Sequence, residues 1–241
     1  MHFFSKLWSK GTANPELEAK LKSILGFSPK NKSLYQTAFT HRSVNIKNDN
    51  GVLINFERLE FLGDSVIDTI VANHLYEELE KDNEGELPRM KSKIVSREKL
   101  NFIGKELQLL DHLVCTGNKE NFGDDIYGNI LEALIGAVFI EKGYEKCKTI
   151  VFKLILDPHI TLNEVKKEII SYKSVLIEWG QKEKKTILFL TEKEESKDTA
   201  INYQCKLTID EKQLLKVRDV SKKKAEEKAA KRAFNILRIS G

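Results

Sequence analysis

The chain has 241 residues, of which 41% are hydrophobic, enough for one large or two small packed cores. Its three cysteines, Cys115, Cys147 and Cys205, stand far apart with no C-x-x-C pair, which argues against a disulfide framework and a zinc site and points to reduced cysteines in a cytoplasmic protein. The net charge of +4 is uneven: residues 170–241 carry 17 Lys and Arg against 11 Asp and Glu, a net of +6, leaving residues 1–169 at −2, so a polyanionic partner meets the C-terminal part first.

Residues 1–11 are apolar in patches but broken by lysines, and too short for an export-signal core or a membrane span, so no membrane association is expected. Residues 14–25 read as a first helix, followed by 33–39 and then Thr40-His41-Arg42-Ser43. In residues 55–68 the apolar positions Phe56, Leu59, Leu62, Val66 and Ile67 recur at three- and four-residue steps, the spacing of a buried helical face. That spacing puts Glu57, Glu60 and Asp64 on one stripe, where each like-charge pair costs about 0.2–0.5 kcal/mol. A cation relieves such a stripe, and Mg²⁺ is the hard ion that one or two carboxylates hold together with water and phosphate oxygens. A solvated acidic helix face is the plainer alternative. Gly63 weighs against it, because a glycine inside a helix costs about 1 kcal/mol and usually marks a close approach or a functional need.

The apolar period continues to residue 79, a polar break covers 81–86, and residues 87–100 are predicted as another helix. Residues 123–142 form a second dense apolar stretch in which Glu132 sits among Leu131, Leu134, Ile135, Val138 and Phe139, where an ionised group needs a partner. Residues 157–171 read as a connection. After it the pattern changes to a helix over 172–181, strands over 186–191, 201–209 and 213–220, and a last helix over 222–237. Ser221 is a good N-cap, yet Lys222, Lys223 and Lys224 fill the first turn, where the helix dipole disfavours cations. Bound phosphates would account for that placement.

Glu57 to Ser65, E-R-L-E-F-L-G-D-S, resembles the signature of bacterial ribonuclease III, the endonuclease that cuts double-stranded RNA. The resemblance implies that Glu60 is a Mg²⁺ ligand, Asp64 an essential catalytic carboxylate and Glu57 an auxiliary acid. It gives T-H-R-S a role in fold and dimer, with His41 structural rather than catalytic, and makes Glu84 in the polar break an acid that approaches the cleft from the other subunit, a solvated turn being the alternative for that break. Met90, Lys91, Lys93 and Arg97 are candidates for an RNA-facing edge. E-A-L-I-G-A is similar to the family's second motif, and implies that Glu132 binds Mg²⁺ and is required for cleavage. The chain departs from the family three residues earlier, where Asn129 replaces the usual aspartate: its carbonyl oxygen can still ligate a hard cation, but without charge. Asp125, one turn before, is a candidate to compensate.

S-K-K-K-A-E-E-K-A-A resembles the last helix of the double-stranded-RNA-binding domain, in which lysines corresponding to Lys222 and Lys223 grip phosphates. Two of that domain's features are missing, since residues 195–199 replace its G-P-x-H loop and Arg218-Asp219-Val220 its glycine-rich approach to the helix. The expectation is a mostly α protein, with an all-helical nuclease domain over residues 15–157 and a small α-β-β-β-α RNA-binding domain over 170–240. By resemblance it is a cytoplasmic homodimer that hydrolyses double-stranded RNA with Mg²⁺, or Mn²⁺ in its place, and needs no nucleotide cofactor. The same resemblance implies products with 5′-phosphate and 3′-hydroxyl ends, and substrates that include ribosomal RNA precursors and other structured transcripts. The alternative, supported by Asn129 alone, is a catalytically inactive double-stranded-RNA-binding or ribosome-associated protein.

Overall fold

The computed structural model describes residues 14–80, 85–167, 171–193 and 203–239. The chain divides into two compact units, residues 1–166 and 167–241.

The first unit is helical. Helix α1 (Pro15–Leu25) starts where Asn14 Oδ1 accepts the Leu17 N–H at 3.1 Å, and stops at Gly26, whose φ of 74° suits a glycine. Helix α2 (Lys32–Ala38) is capped in the same way by Asn31, and a 3-10 turn follows over Arg42–Val44. The long helix α3 (Glu57–Glu78) is followed by α4 (Glu86–Ile94), α5 (Arg97–Glu106), α6 (Asp125–Lys142), α7 (Tyr144–Val151), a widened turn over Phe152–Leu156 and α8 (Leu162–Lys167). Among the described residues no helix is long and apolar enough to cross a membrane.

The sequence reading is corrected at two places. The helix expected over 87–100 is two helices, because Ser96, at φ −61° and ψ 143°, leaves the helical region and caps α5 by accepting the Lys99 N–H. Apolar periodicity runs through this cap because Met90, Ile94, Leu100 and Ile103 all face the core. The stretch read as a connection begins with helical residues, and Val165 of α8 is buried, its carbonyl accepting the Lys93 ammonium at 2.8 Å. Met90 and Lys93 are therefore core residues, not part of an RNA-facing edge.

Two helices fix the frame. α3 and α6 cross with their backbones touching: a Cβ on Gly63 would lie 1.7 Å from the Glu132 carbonyl oxygen, and one on Gly136 2.2 Å from that of Leu59. Around the crossing Leu59, Val66, Ile67 and Ile70 of α3 meet Leu131, Leu134, Ile135 and Val138 of α6 in one buried core. α5 approaches the N-terminal part of α6 in a similar way, since a Cβ on Gly104 would lie 2.3 Å from the Tyr127 carbonyl oxygen.

The second unit is helix, three-stranded meander, helix. α9 (Tyr172–Lys182) leads to β1 (Ile187–Lys193), β2 (Tyr203–Ile209), β3 (Lys212–Asp219) and α10 (Lys222–Leu237), with antiparallel order β1-β2-β3 and Phe189, Leu207 and Leu215 in register. The inward residues Cys205, Leu207 and Val217 pack with Leu176 and an alanine stripe, Ala225, Ala229 and Ala233, on α10. The two glutamates that follow Ala225 hold the unit together. Glu226 is buried and accepts from the Lys173 ammonium at 2.7 Å and the Thr191 hydroxyl at 3.0 Å, while Glu227 accepts from the Ser171 hydroxyl at 3.0 Å and the Tyr172 N–H at the start of α9.

The crossing yields a prediction. Gly63→Ala forces a methyl group into the α6 backbone and should lower stability by about 1–3 kcal/mol, whereas Gly85→Ala, with nothing within 4 Å of its added Cβ, should stay within about 0.5 kcal/mol of wild type. Thermal or urea unfolding measures both, and equal effects would mean that the two helices do not depend on that contact.

Candidate active site

The α3–α6 crossing carries its acids to one place. The carboxylates Glu57, Glu60 and Asp64 of α3 and Glu132 of α6 line a single open cleft of about 880 Å³, together with Asn129 and Asp125 of α6. Arg97 and Asn101 of α5 complete one wall, and His41 and Phe122 another. The residues that sequence reasoning placed in the catalytic set thus meet across two helices, except Glu84, which lies outside the described residues.

Burial and like charge dominate the electrostatics. The Glu132 carboxyl is pushed up to about 8, by burial first and then by Asp64 and Glu60, against the opposite pull of Arg97. Glu60 is raised by burial and by neighbouring Glu57, and Asp64 by burial and by Asp68. Asp68 itself is held by Lys91 at 2.5 Å. Such a group of acids binds protons or cations more readily than it stands bare. Every donor that Glu60, Asn129 and Glu132 offer is a hard oxygen, which fits a hard divalent cation. Among the described residues no group of three or more His, Cys, Asp or Glu side chains is drawn together closely enough to hold a metal ion by themselves.

Asp125 is not a spare ligand for the missing aspartate. Its Oδ2 accepts from Arg97 at 2.7 Å and its Oδ1 from Asn101 at 3.3 Å, and these bonds hold its carboxyl below the usual range. His41 is built into the scaffold. Its Nδ1 accepts the Ser43 N–H at 3.1 Å, its ring meets Phe122 edge-on at 4.7 Å, and burial lowers its pKa. The sequence reading missed the Arg97–Asp125–Asn101 network. The signal available was the Ser96 cap, which makes Arg97 the first residue of a helix.

In the second unit, Ser221 Oγ accepts the Lys224 N–H at 3.2 Å and starts α10, and Lys222, Lys223 and Lys224 are exposed on its first turn. The replacement loop 195–199 lies outside the described residues. A helical unit with an acid-floored cleft, in one chain with a three-stranded unit whose last helix opens on lysines, defines a nucleic-acid-processing protein with its own binding module. Residues 31–159 match the family model described as Ribonuclease-III-like, and residues 172–237 the Double-stranded RNA binding motif. The chain is 45% identical to the Ribonuclease 3 of Zunongwangia profunda, over 90% of this chain and 89% of that one. It is 40% identical to the Ribonuclease 3 of Flavobacterium psychrophilum, over 98% and 97%. The crystal structure of the nuclease domain of the Campylobacter jejuni ribonuclease III is similar with a TM-score of 0.52 and 36% identity, covering 59% of this chain and 97% of that one. The chain belongs to the ribonuclease III family.

The Glu132 environment predicts a pH dependence. The folded chain keeps the Glu132 proton up to about 8, while the unfolded chain releases it near the ordinary 4.5. The folded state holds the extra proton between those values, so this group's contribution to stability declines as pH rises through the window. In metal-free buffer, wild type should lose more thermal stability between about pH 5 and pH 8 than Glu132→Gln. Parallel curves for the two proteins would show that burial does not perturb this carboxyl.

Proposed function

We propose that the protein is an endoribonuclease that hydrolyses phosphodiester bonds of double-stranded RNA, leaving 5′-phosphate and 3′-hydroxyl ends. The observation that carries this reading is the convergence of Glu60, Asp64 and Glu132 across the Gly63–Gly136 crossing, in a chain whose other unit presents lysines at a helix start. Residues 15–157, together with α8 that packs into their core, act as the nuclease domain and residues 170–240 as the RNA-binding domain. Ribosomal RNA precursors and other structured transcripts, met in the cytoplasm, are the substrates that the family resemblance implies.

Glu60, Asn129 and Glu132 would hold Mg²⁺, or Mn²⁺ in its place; when bound, the ion supplies Lewis acidity toward the scissile phosphate and a lowered pKa for its water. Asp64 orients the attacking water and takes its proton as the water oxygen attacks phosphorus in line; the bond to the 3′ oxygen breaks, and that oxygen takes a proton from solvent to leave as the 3′-hydroxyl. Glu57 stands at the edge of the set, held by Arg42 at 3.4 Å and by the Asn55 side chain, which suits an auxiliary rather than a primary role. Glu84, outside the described residues, takes the auxiliary role that the family resemblance implies.

The chain works as a homodimer in this reading. Beside the cleft lies an apolar groove of about 980 Å³ whose lining includes exposed Val52, Leu53, Phe61 and Ile140. Phe61, 78% exposed, borders both the groove and the cleft, so a second copy seated there would stand next to the acids. Another Campylobacter jejuni nuclease-domain structure, 35% identical, concerns a region involved in dimer formation. A single-chain mass in sedimentation equilibrium would overturn the dimer.

Two experiments separate the parts. Glu132→Ala should abolish Mg²⁺-dependent cleavage of a long RNA duplex with gel-shift affinity nearly intact. Replacing Lys222 and Lys223 together by alanine should weaken binding alike for all duplex sequences, and lower the slope of log affinity against log salt by about 0.9 for each phosphate no longer engaged, on the B-DNA scale. Full cleavage by the first variant, or an unchanged slope in the second, removes those residues from their roles.

The second reading, an inactive RNA-binding protein, is favoured by Asn129 alone, and a metal titration decides it. If Asn129 is a neutral ligand, wild type needs more Mg²⁺ for half-maximal cleavage than Asn129→Asp, and Mn²⁺ narrows the gap. Coincident Mg²⁺ curves take Asn129 out of the site. Inactivity of both proteins with either metal supports the inactive reading.

A further inference from the structure

Arg97 is a cation on the wall of a cleft whose floor is acidic. It is the first residue of α5, in the turn where the helix dipole disfavours positive charge, so folding of α5 does not explain it. Its bond to Asp125 does not explain it either: the Arg97 side chain is 73% exposed and that of Asp125 55%, and ion pairs so exposed contribute little to stability. What surrounds the pair is more specific. Asn101, one turn further along α5, donates to Asp125 Oδ1 and accepts the Gly128 N–H on its own Oδ1 at 2.9 Å. A Cβ on Gly128 would lie 2.6 Å from that Oδ1, so the glycine admits the bond. A continuous set of hydrogen bonds therefore runs from the Arg97 guanidinium through Asp125 and Asn101 to the backbone beside Asn129.

We propose that Arg97 is a phosphate-contact residue of the cleft, and that Asp125 and Asn101 are positioning residues that hold its guanidinium at the wall. This rests on the nuclease reading above and extends it to how the substrate is held. An RNA strand brings its phosphates to a floor formed by Glu60, Asp64 and Glu132, which repels them. A guanidinium has five N–H donors in a planar fork that matches phosphate oxygens in pairs. Asp125 engages one of those donors, and the exposure of the side chain leaves the fork accessible to a ligand. Arg42, the other arginine lining the cleft, is turned to Glu57 at 3.4 Å.

The test uses the full chain carrying Glu132→Gln, which keeps substrate from being consumed, and measures affinity for a long RNA duplex across a salt series with Mg²⁺ present. Adding Arg97→Ala should weaken binding several-fold and reduce the slope of log affinity against log salt by about 0.9, the equivalent of one phosphate. Arg97→Lys should keep the slope, since the charge remains, while recovering only part of the affinity, since the fork is gone. In the chain with native Glu132, Asp125→Asn should keep the salt slope of KM and lower kcat, as expected when the phosphate is still held but poorly placed.

An unchanged slope and affinity in Arg97→Ala overturns the proposal. So does a variant that binds RNA as before and needs less Mg²⁺ for half-maximal cleavage, because Arg97 would then be only a counter-charge for the acids. If the chain with native Glu132 cleaves with neither Mg²⁺ nor Mn²⁺, the nuclease reading fails, while the salt slope still judges Arg97.

Discussion

The protein depends on a contact between two backbones. At Gly63 and Gly136, α3 and α6 approach so closely that neither position has room for a methyl group, and this brings Glu60 and Asp64 on one helix beside Glu132 on the other. Interiors are packed near crystal density and do not yield to an inserted carbon without moving something else. The glycine in E-R-L-E-F-L-G-D-S is thus not a flexible point in the helix. It sets the distance between the two halves of a site.

That closeness has an electrostatic consequence. Packing the helices tightly removes water from around Glu132 and places like charges next to it, and both raise its pKa. A group held that way gains by sharing its charge with a cation, so the same crossing that stabilises the core leaves the site short of positive charge. Lys91 on Asp68 and Arg97 on Asp125 answer part of that shortage at the rim. The protein spends stability here, at the place where its chemistry belongs, and not in the apolar layers around it.

The second unit resolves charge differently. Glu226 is as buried as a core residue, yet its carboxyl is held below the usual range, because the Lys173 ammonium and the Thr191 hydroxyl outweigh the cost of burial. Glu227 next to it accepts from the Ser171 hydroxyl and the Tyr172 N–H at the start of α9. Between them they bind three elements and leave the lysines before them exposed on the first turn of α10. Structural acids and exposed bases are sorted within the first two turns of one helix.

Most of the fold was legible in the sequence, because helices and strands follow from local spacing. The three- and four-residue steps of Leu59, Val66, Ile67 and Ile70 specify α3, the alternation through Cys205 and Leu207 specifies β2, and the same periodicity puts Glu57, Glu60 and Asp64 on one stripe. The lysines at 222–224 were equally plain, since a cap and a first turn are defined within a few residues. Tertiary structure decided what depends on residues far apart in the chain. Nothing local to Lys93 says that its ammonium reaches Val165, or that this takes it out of the surface. Nothing local to Asp125 says that it is engaged by Arg97 and Asn101, and so is no substitute for the aspartate that Asn129 replaces. Spacing along a helix tells which side chains share a face; which helix that face meets, and at what distance, is settled only when the whole core closes.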